Sequence, residues 1–171
     1  QKAQNAPYQP ELESAQQLCN QIQRELASLL DELRNDDRSL VRRLQQQIQD
    51  WQEYTGIEAH FIYDAFPAID AAIADQLLRI CDEALANILR HSQATQVRVH
   101  LHHQNGRLLL SISDNGNGRL PSEAQLADST TGMGLRNMKE RASQLPQGFC
   151  RIEGTPKQGT RIEVECEIGV Y

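Results

Sequence analysis

The sequence predicts an α+β fold, a helical layer over a mixed, mostly antiparallel sheet, preceded by a helical coiled-coil stem. Three observations carry that prediction. Apolar residues recur at steps of three and four before Gly56; after it, segments of period two alternate with segments of period 3.6; and an Asn-Gly pair joins two strongly alternating segments near the middle of the chain. Composition breaks at the same place. Residues 1–56 hold 12 of the 20 glutamines and one glycine, whereas nine of the ten glycines lie at or beyond Gly106. The stem is therefore assigned to residues 1–56 and the α+β domain to residues 57–171.

Within the stem, Leu12, Ala15, Cys19, Ile22, Leu26, Leu29 and Leu33 form the a/d seam of a coiled coil or helical hairpin, which requires a partner helix. Leu40, Leu44, Ile48 and Trp51 form a second helical stripe that stops at Thr55-Gly56, where glycine suits a helix C-cap. Two roles fit this second stripe equally: packing on its own domain, or dimerisation.

In the second domain, Ile57, Ala59, Phe61 and Tyr63 alternate with polar neighbours and predict a strand. Helical periodicity returns over 70–91. Residues 97–103 and 107–113 alternate as two strands joined through Gln104-Asn105-Gly106, a hairpin signal. A glycine-punctuated loop from Gly116 to Gly134 leads into a helix over 135–145 that Pro146 stops, and a last strand pair spans about 148–168 with its turn at 155–160.

Composition excludes several function classes. With 17 basic and 23 acidic residues the formal charge is −6, opposite in sign to what phosphate-backbone attraction needs, so no direct nucleic-acid contact is expected. A mean hydropathy of −0.57 and the lack of a long apolar run leave no membrane span in this chain. Cys19, Cys81, Cys150 and Cys166 lie far apart without a C-x-x-C pair, and the five histidines supply no metal-ligand spacing with them. Reduced packing cysteines are expected, which favours the cytoplasm.

The chemistry concentrates in two places. On a helix turning by roughly 100° per residue, Glu83, Asn87, Arg90 and His91 project into one arc, opposite an apolar arc of Leu77, Cys81, Ala84, Leu85 and Ile88. Further on, Asp114-Asn115-Gly116-Asn117-Gly118 follows a strand, and Thr131-Gly132-Met133-Gly134-Leu135 opens a helix. Glycines admit close approach of the main chain, and a helix N-terminus presents free N–H groups to an anion, so the second segment suits a nucleotide phosphate. The phosphate-binding motif G-x-x-x-x-G-K-[ST] is absent from the sequence, which excludes a P-loop.

In this order, E-x-x-x-N, D-x-G-x-G, G-x-G-L and G-T, the set resembles the ATP-binding domain of sensor histidine kinases, in the superfamily that also includes type II topoisomerase and mismatch-repair ATPases. The resemblance covers about residues 57–168. Residues 82–94, DEALANILRHSQA, and 134–142, GLRNMKERA, look like the nitrate-sensor and desaturase-thermosensor type, and the stem is similar to the second helix of that type's dimerisation domain. The resemblance implies a Bergerat-type ATP-binding sandwich that uses ATP and Mg2+. By its terms Asn87 would coordinate magnesium, with Glu83 beside it to orient the reacting group, and Arg90 and His91 would face the phosphates. Asp114 would accept a hydrogen bond from the adenine amine. Gly116 and Gly118 would let the chain pass the base and ribose; Gly132 and Gly134 would hinge the lid over the phosphates, with Met133 and Leu135 between and beside them in the ATP-binding set; Thr160 would support the adenine site.

As partners the resemblance implies a response-regulator receiver domain and a homodimer formed through the stem, with a cytoplasmic catalytic region and membrane contact only through regions outside this sequence. The phosphoacceptor histidine of such kinases lies on the first stem helix, and this chain has no histidine before His60. No acceptor is expected in this chain: His60, His100, His102 and His103 fall in strands, where structural or solvent-facing roles are expected. The expectation is a fragment that starts after the acceptor helix; the rivals are a degenerate kinase acting as a nucleotide-binding or dimerisation module, and another ATPase or serine kinase of the superfamily. Leu145-Pro146-Gln147-Gly148 departs from the family's glycine pair, and the lid over 119–131 is short.

Overall fold

The computed structural model of the chain describes residues 40–121 and 132–169. The a/d seam from Leu12 to Leu33 and the lid residues 122–131 lie outside the described residues. In chain order the elements are α1 (Leu40–Thr55), β1 (Glu58–Tyr63), α2 (Ala71–Asn87), a π-helical turn (Ile88–Ser92), β2 (Gln96–Gln104), β3 (Arg107–Asp114), α3 (Met133–Ser143), β4 (Phe149–Thr155) and β5 (Gly159–Glu167). All fall within the compact unit that begins at Asp37.

The strands form one sheet in the order β1-β2-β3-β5-β4, with β1 parallel to β2 and every other pairing antiparallel. The mixed, mostly antiparallel sheet is thus as the sequence predicts. Its parallel pair forms because α2 carries the chain back to the starting end of the sheet before β2. The hairpin between β2 and β3 turns through Asn105 at φ 52° and Gly106 at φ 75°, the two positive values that a twist-matched two-residue turn requires.

Period-two alternation sorts the sheet into two faces. Val97, Val99 and Leu101 of β2, Leu108, Leu110 and Ile112 of β3, and Ile162, Val164 and Cys166 of β5 are buried under the helices. The opposite face carries Arg98, His100 and His102, then Ser111 and Ser113, then Arg161, Glu163 and Glu165, with Arg161–Glu163 at 3.0 Å and Arg151–Glu153 at 2.9 Å as ion pairs. A sheet covered on one side only is what the clean alternation predicts.

α2 starts at an Asp70 N-cap whose carboxylate accepts from the Ala72 N–H at 2.7 Å. Its buried stripe includes Leu77, Cys81, Ala84 and Leu85, continued by Ile88, the arc assigned to the core from sequence. α1 buries Leu40, Leu44 and Ile48 in the same core, and Arg43 reaches Asp75 of α2 at 2.7 Å. The second helical stripe therefore packs on its own domain. Gly56 marks the change in composition, and packing is continuous across it.

Cys81 and Cys166 are buried free thiols, and burial pushes both upward from the ordinary thiol value, Cys166 to about 11. They stay protonated at neutral pH and act as packing residues. Cys19 lies outside the described residues.

Candidate functional site

The end of α2 departs from the sequence prediction in a way that shapes the site. Residues 70–91 read as one α-helix, but α-helical hydrogen bonding ends at Asn87 and a π turn follows over Ile88–Ser92. The single arc expected for Glu83, Asn87, Arg90 and His91 assumed α-helical rotation throughout. Glu83 and Asn87, four residues apart on regular helix, do share a face; Arg90 and His91 sit on the wider turn and are both exposed. The turn closes where Gln93 adopts a left-handed φ of 57° and the Ser92 hydroxyl donates to the Ile88 carbonyl at 2.8 Å.

Against Glu83 and Asn87 lies the start of α3. A Cβ on Gly134 would stand 2.1 Å from Glu83 Oε1 and 3.1 Å from Asn87 Nδ2, so glycine leaves room for these two side-chain ends against the start of α3. Gly134 lies within α3, and Gly132, its N-cap, holds a left-handed φ of 85°. Gly132 brings no side-chain cap, so the first N–H groups of α3 have no side chain supplied by their own cap. Met133 is exposed, whereas Leu135 packs against the core.

Asn87 Nδ2 is buried and has no hydrogen-bond partner. An amide in that condition costs free energy unless a ligand completes it. Because amide oxygen and nitrogen exchange by a half-turn about χ2, the same side chain can present a carbonyl oxygen to a cation. With the Glu83 carboxylate beside it, the donor set is oxygen-rich and suits a hard cation such as Mg2+.

The second half of the site gathers around Asp114 at the end of β3. Its side chain is buried; Oδ1 accepts from the Gly116 N–H at 2.7 Å and Oδ2 from the Thr160 N–H at 3.3 Å. Burial pushes the carboxyl upward from the ordinary aspartate value, and the hydrogen bonds from Gly116 and from the Thr160 backbone and hydroxyl oppose that shift without cancelling it. Three donors take up three of the carboxylate's four lone-pair positions, so a buried acceptor position remains available to a ligand N–H.

A carboxyl raised in the folded state binds protons more tightly there than in the unfolded chain. Its contribution to stability is full below the unfolded value and is lost as pH rises through the folded one. The stability of the wild type relative to Asp114→Asn should accordingly fall as pH rises through the raised carboxyl's range, read by urea unfolding of both proteins at a series of pH values. A constant difference would contradict the buried, raised carboxyl.

Gly116 and Gly118 also permit close approach of the protein's own backbone. A Cβ on Gly116 would lie 2.2 Å from the Ser92 carbonyl oxygen, and one on Gly118 1.9 Å from that of Thr155. Gly118 also holds φ 65°. Gly118→Ala should cost about 3 kcal/mol of unfolding free energy, since left-handed strain adds to a backbone clash that no side chain can relieve. A urea-unfolding loss below about 1 kcal/mol would mean the strand end yields.

Ser92, Asn115 and Asn117 carry no role in the reading of the motifs, yet they hold the site together. The Asn115 side chain accepts from the N–H groups of Thr95 at 2.9 Å and Gln96 at 3.0 Å, fixing the start of β2. Asn117 donates through its amide to the His91 carbonyl at 2.8 Å and through its backbone to that of Ser92 at 2.7 Å, which locks the glycine loop to the π turn. The signal was present as alternating asparagines between glycines, which is also an ordinary turn signature.

The orphaned Asn87 amide and the N-terminus of α3 thus lie on the two packed helices of the layer, and the buried Asp114 acceptor lies at the end of the strand β3 that α2 contacts. Residues 72–169 match the family described as histidine kinase-, DNA gyrase B- and HSP90-like ATPase. The chain belongs to that family. Among relatives, it is 36% identical over 167 residues to the sensor protein VraS of Staphylococcus haemolyticus, an alignment covering 95% of this chain and 46% of that protein. The chain therefore spans about half the length of the curated relatives it matches. Among solved structures, the histidine kinase domain of the Erythrobacter litoralis EL346 blue-light activated kinase superposes with a TM-score of 0.61 at 17% identity, over 75% of this chain and 61% of that one. Full-length ShkA in complex with AMPPNP also gives 0.61, at 20% identity, over 80% and 31%. At these identities the two structures establish the fold, the one-sided sandwich described above.

Proposed function

We propose that this chain is the ATP-binding catalytic region of a two-component sensor histidine kinase, which transfers the γ-phosphoryl group of Mg-ATP to a histidine outside this sequence for relay to a response-regulator aspartate. The observation that carries the reading is the buried, partnerless Asn87 amide beside Glu83, facing the N-terminus of α3. Family membership, the VraS relatives and the nucleotide analogue bound to ShkA support it.

In this reading Asp114 accepts from the adenine amine, with Thr160 and Gly116 holding its two oxygens in place. Asn87 and Glu83 hold magnesium, which when bound neutralises phosphate charge. The N-terminal N–H groups of α3, with Gly132, Met133 and Gly134, receive the phosphates; Arg90 and His91, exposed on the π turn, reach them from the other side, and Leu135 anchors α3 to the core behind them. Phosphoryl transfer asks chiefly for positioning and charge neutralisation, which this set supplies. A receiver domain and a second copy joined through the stem are the partners, and the catalytic region works in the cytoplasm. Similarity to the nitrate-sensor and desaturase-thermosensor type belongs to the same proposal.

Incubated with labelled ATP, the chain alone should bind nucleotide yet show negligible autophosphorylation, and supplying an intact dimerisation stem should restore acid-labile label. In-line attack needs a nucleophile approaching the open side of the γ-phosphate, whereas His91 belongs to the nucleotide-facing wall itself. Label mapped to His91 or a strand histidine of the chain alone would overturn the fragment reading. Lack of transfer with a full stem would favour the degenerate, nucleotide-binding alternative.

A further inference from the structure

The geometry points to a second cation site, for a borderline transition metal such as zinc, formed by Asp64, His100 and His102 on the uncovered face of the sheet. His100 and His102 are two residues apart on β2, so both rings project from that face. β1 runs parallel beside them with Ile62 opposite His100 and Tyr63 opposite Leu101. One residue on, the Asp64 N–H donates to the Leu101 carbonyl at 2.9 Å, which places the carboxylate beside the residue between the two histidines.

The side chains converge accordingly. Asp64 Oδ2 is hydrogen-bonded to His102 Nδ1, and its other oxygen lies 4.0 Å from His100 Nε2. One potential ligand atom from each residue lies within 4.8 Å of the other two. His100 Nε2 is itself buried and has no hydrogen-bond partner, a condition that a bound metal relieves. Tetrahedral zinc, with bonds of about 2.0–2.1 Å, brings its ligands to roughly 3.4 Å from one another. Side chains that are 40–44% exposed can close that difference by small rotations.

Donor chemistry selects the metal. Two imidazoles and one carboxylate favour zinc, copper or nickel over magnesium and calcium, and three protein ligands leave a tetrahedral ion one position for water. His60 is not part of the set, being engaged by Glu58 at 3.1 Å and Gln96 at 3.3 Å. The site stands on the opposite face of the sheet from the helices and about 10 Å along β2 from Val97, the register partner of Asp114. It is independent of the nucleotide reading, and bound metal there would tie the edge strand β1 to β2.

The test is a zinc titration of the tag-free chain against a chromophoric chelator in millimolar magnesium. One zinc per chain at micromolar free metal is expected, at least tenfold weaker in His100→Ala and in Asp64→Asn and unchanged in His60→Ala. In the wild type, the ring nitrogens of His100 and His102 should shift on zinc addition in nitrogen-15 spectra, a readout that does not depend on any variant folding. Failure to bind at micromolar zinc, competition by magnesium, equal binding in the variants, or shifts confined to other histidines would each overturn the site.

Discussion

Replacing Asn87 with alanine should abolish the effect of magnesium on nucleotide binding while leaving the fold intact or slightly more stable. The two halves of that expectation have one cause. In the free protein Asn87 Nδ2 is buried without a partner, so its removal deletes an uncompensated polar group and no hydrogen bond is lost at that atom. A buried amide nitrogen without a partner, beside Glu83 and against the α3 N-terminus, is placed for a ligand. Phosphoryl transfer, measured in protein carrying the full dimerisation stem, should fall on the order of a hundredfold or more, the usual cost of deleting one preorganised electrostatic contact. Calorimetric titration with ATP should show a large loss in the presence of magnesium and a small one in its absence. Equal losses in both conditions would mean that Asn87 is not a metal ligand.

Much of this arrangement was legible in the sequence because the elements obey simple periods. Leu77, Cys81, Ala84 and Leu85 announce the buried side of α2, and Val97 to Leu101 with Leu108 to Ile112 announce a sheet covered on one face. The Asn105-Gly106 turn announces its own register. Asp114, Asn87 and the glycines were found because residue types that are unfavourable or unusual in their elements stand at fixed order along the chain. Less legible was the π turn at Ile88–Ser92. Periodicity cannot register it, since an inserted residue at a helix end leaves the apolar stripe intact while widening the turn that carries Arg90 and His91. The contact partners of Gly116, Gly118 and Gly134 were also hidden: a sequence marks where a side chain is forbidden, and only the fold reveals that a carbonyl of Ser92 or Thr155, or the carboxylate of Glu83, fills the space. Asp64 escaped notice for a similar reason, because its two histidines lie 36 and 38 residues away across a parallel pairing.

Asp114→Asn tests the base-recognising half of the site. Both carboxylate oxygens accept backbone N–H groups, from Gly116 and Thr160, and an asparagine offers one acceptor oxygen and turns an amine toward the other donor. The variant keeps the shape and burial of the side chain but loses the charge that strengthens a hydrogen bond from the adenine amine. Loss of about 1.5–3 kcal/mol is expected, which is roughly ten- to a hundredfold in affinity. Guanine presents a carbonyl where adenine presents its amine, so GTP should lose nothing comparable and the preference for ATP should relax. The decisive measurement is calorimetric titration of the wild type and Asp114→Asn with ATP and with GTP at neutral pH. The account predicts tight ATP binding by the wild type, at least about tenfold weaker in the variant, with GTP binding nearly unchanged; ATP affinity unaltered in a folded Asp114→Asn protein would contradict it.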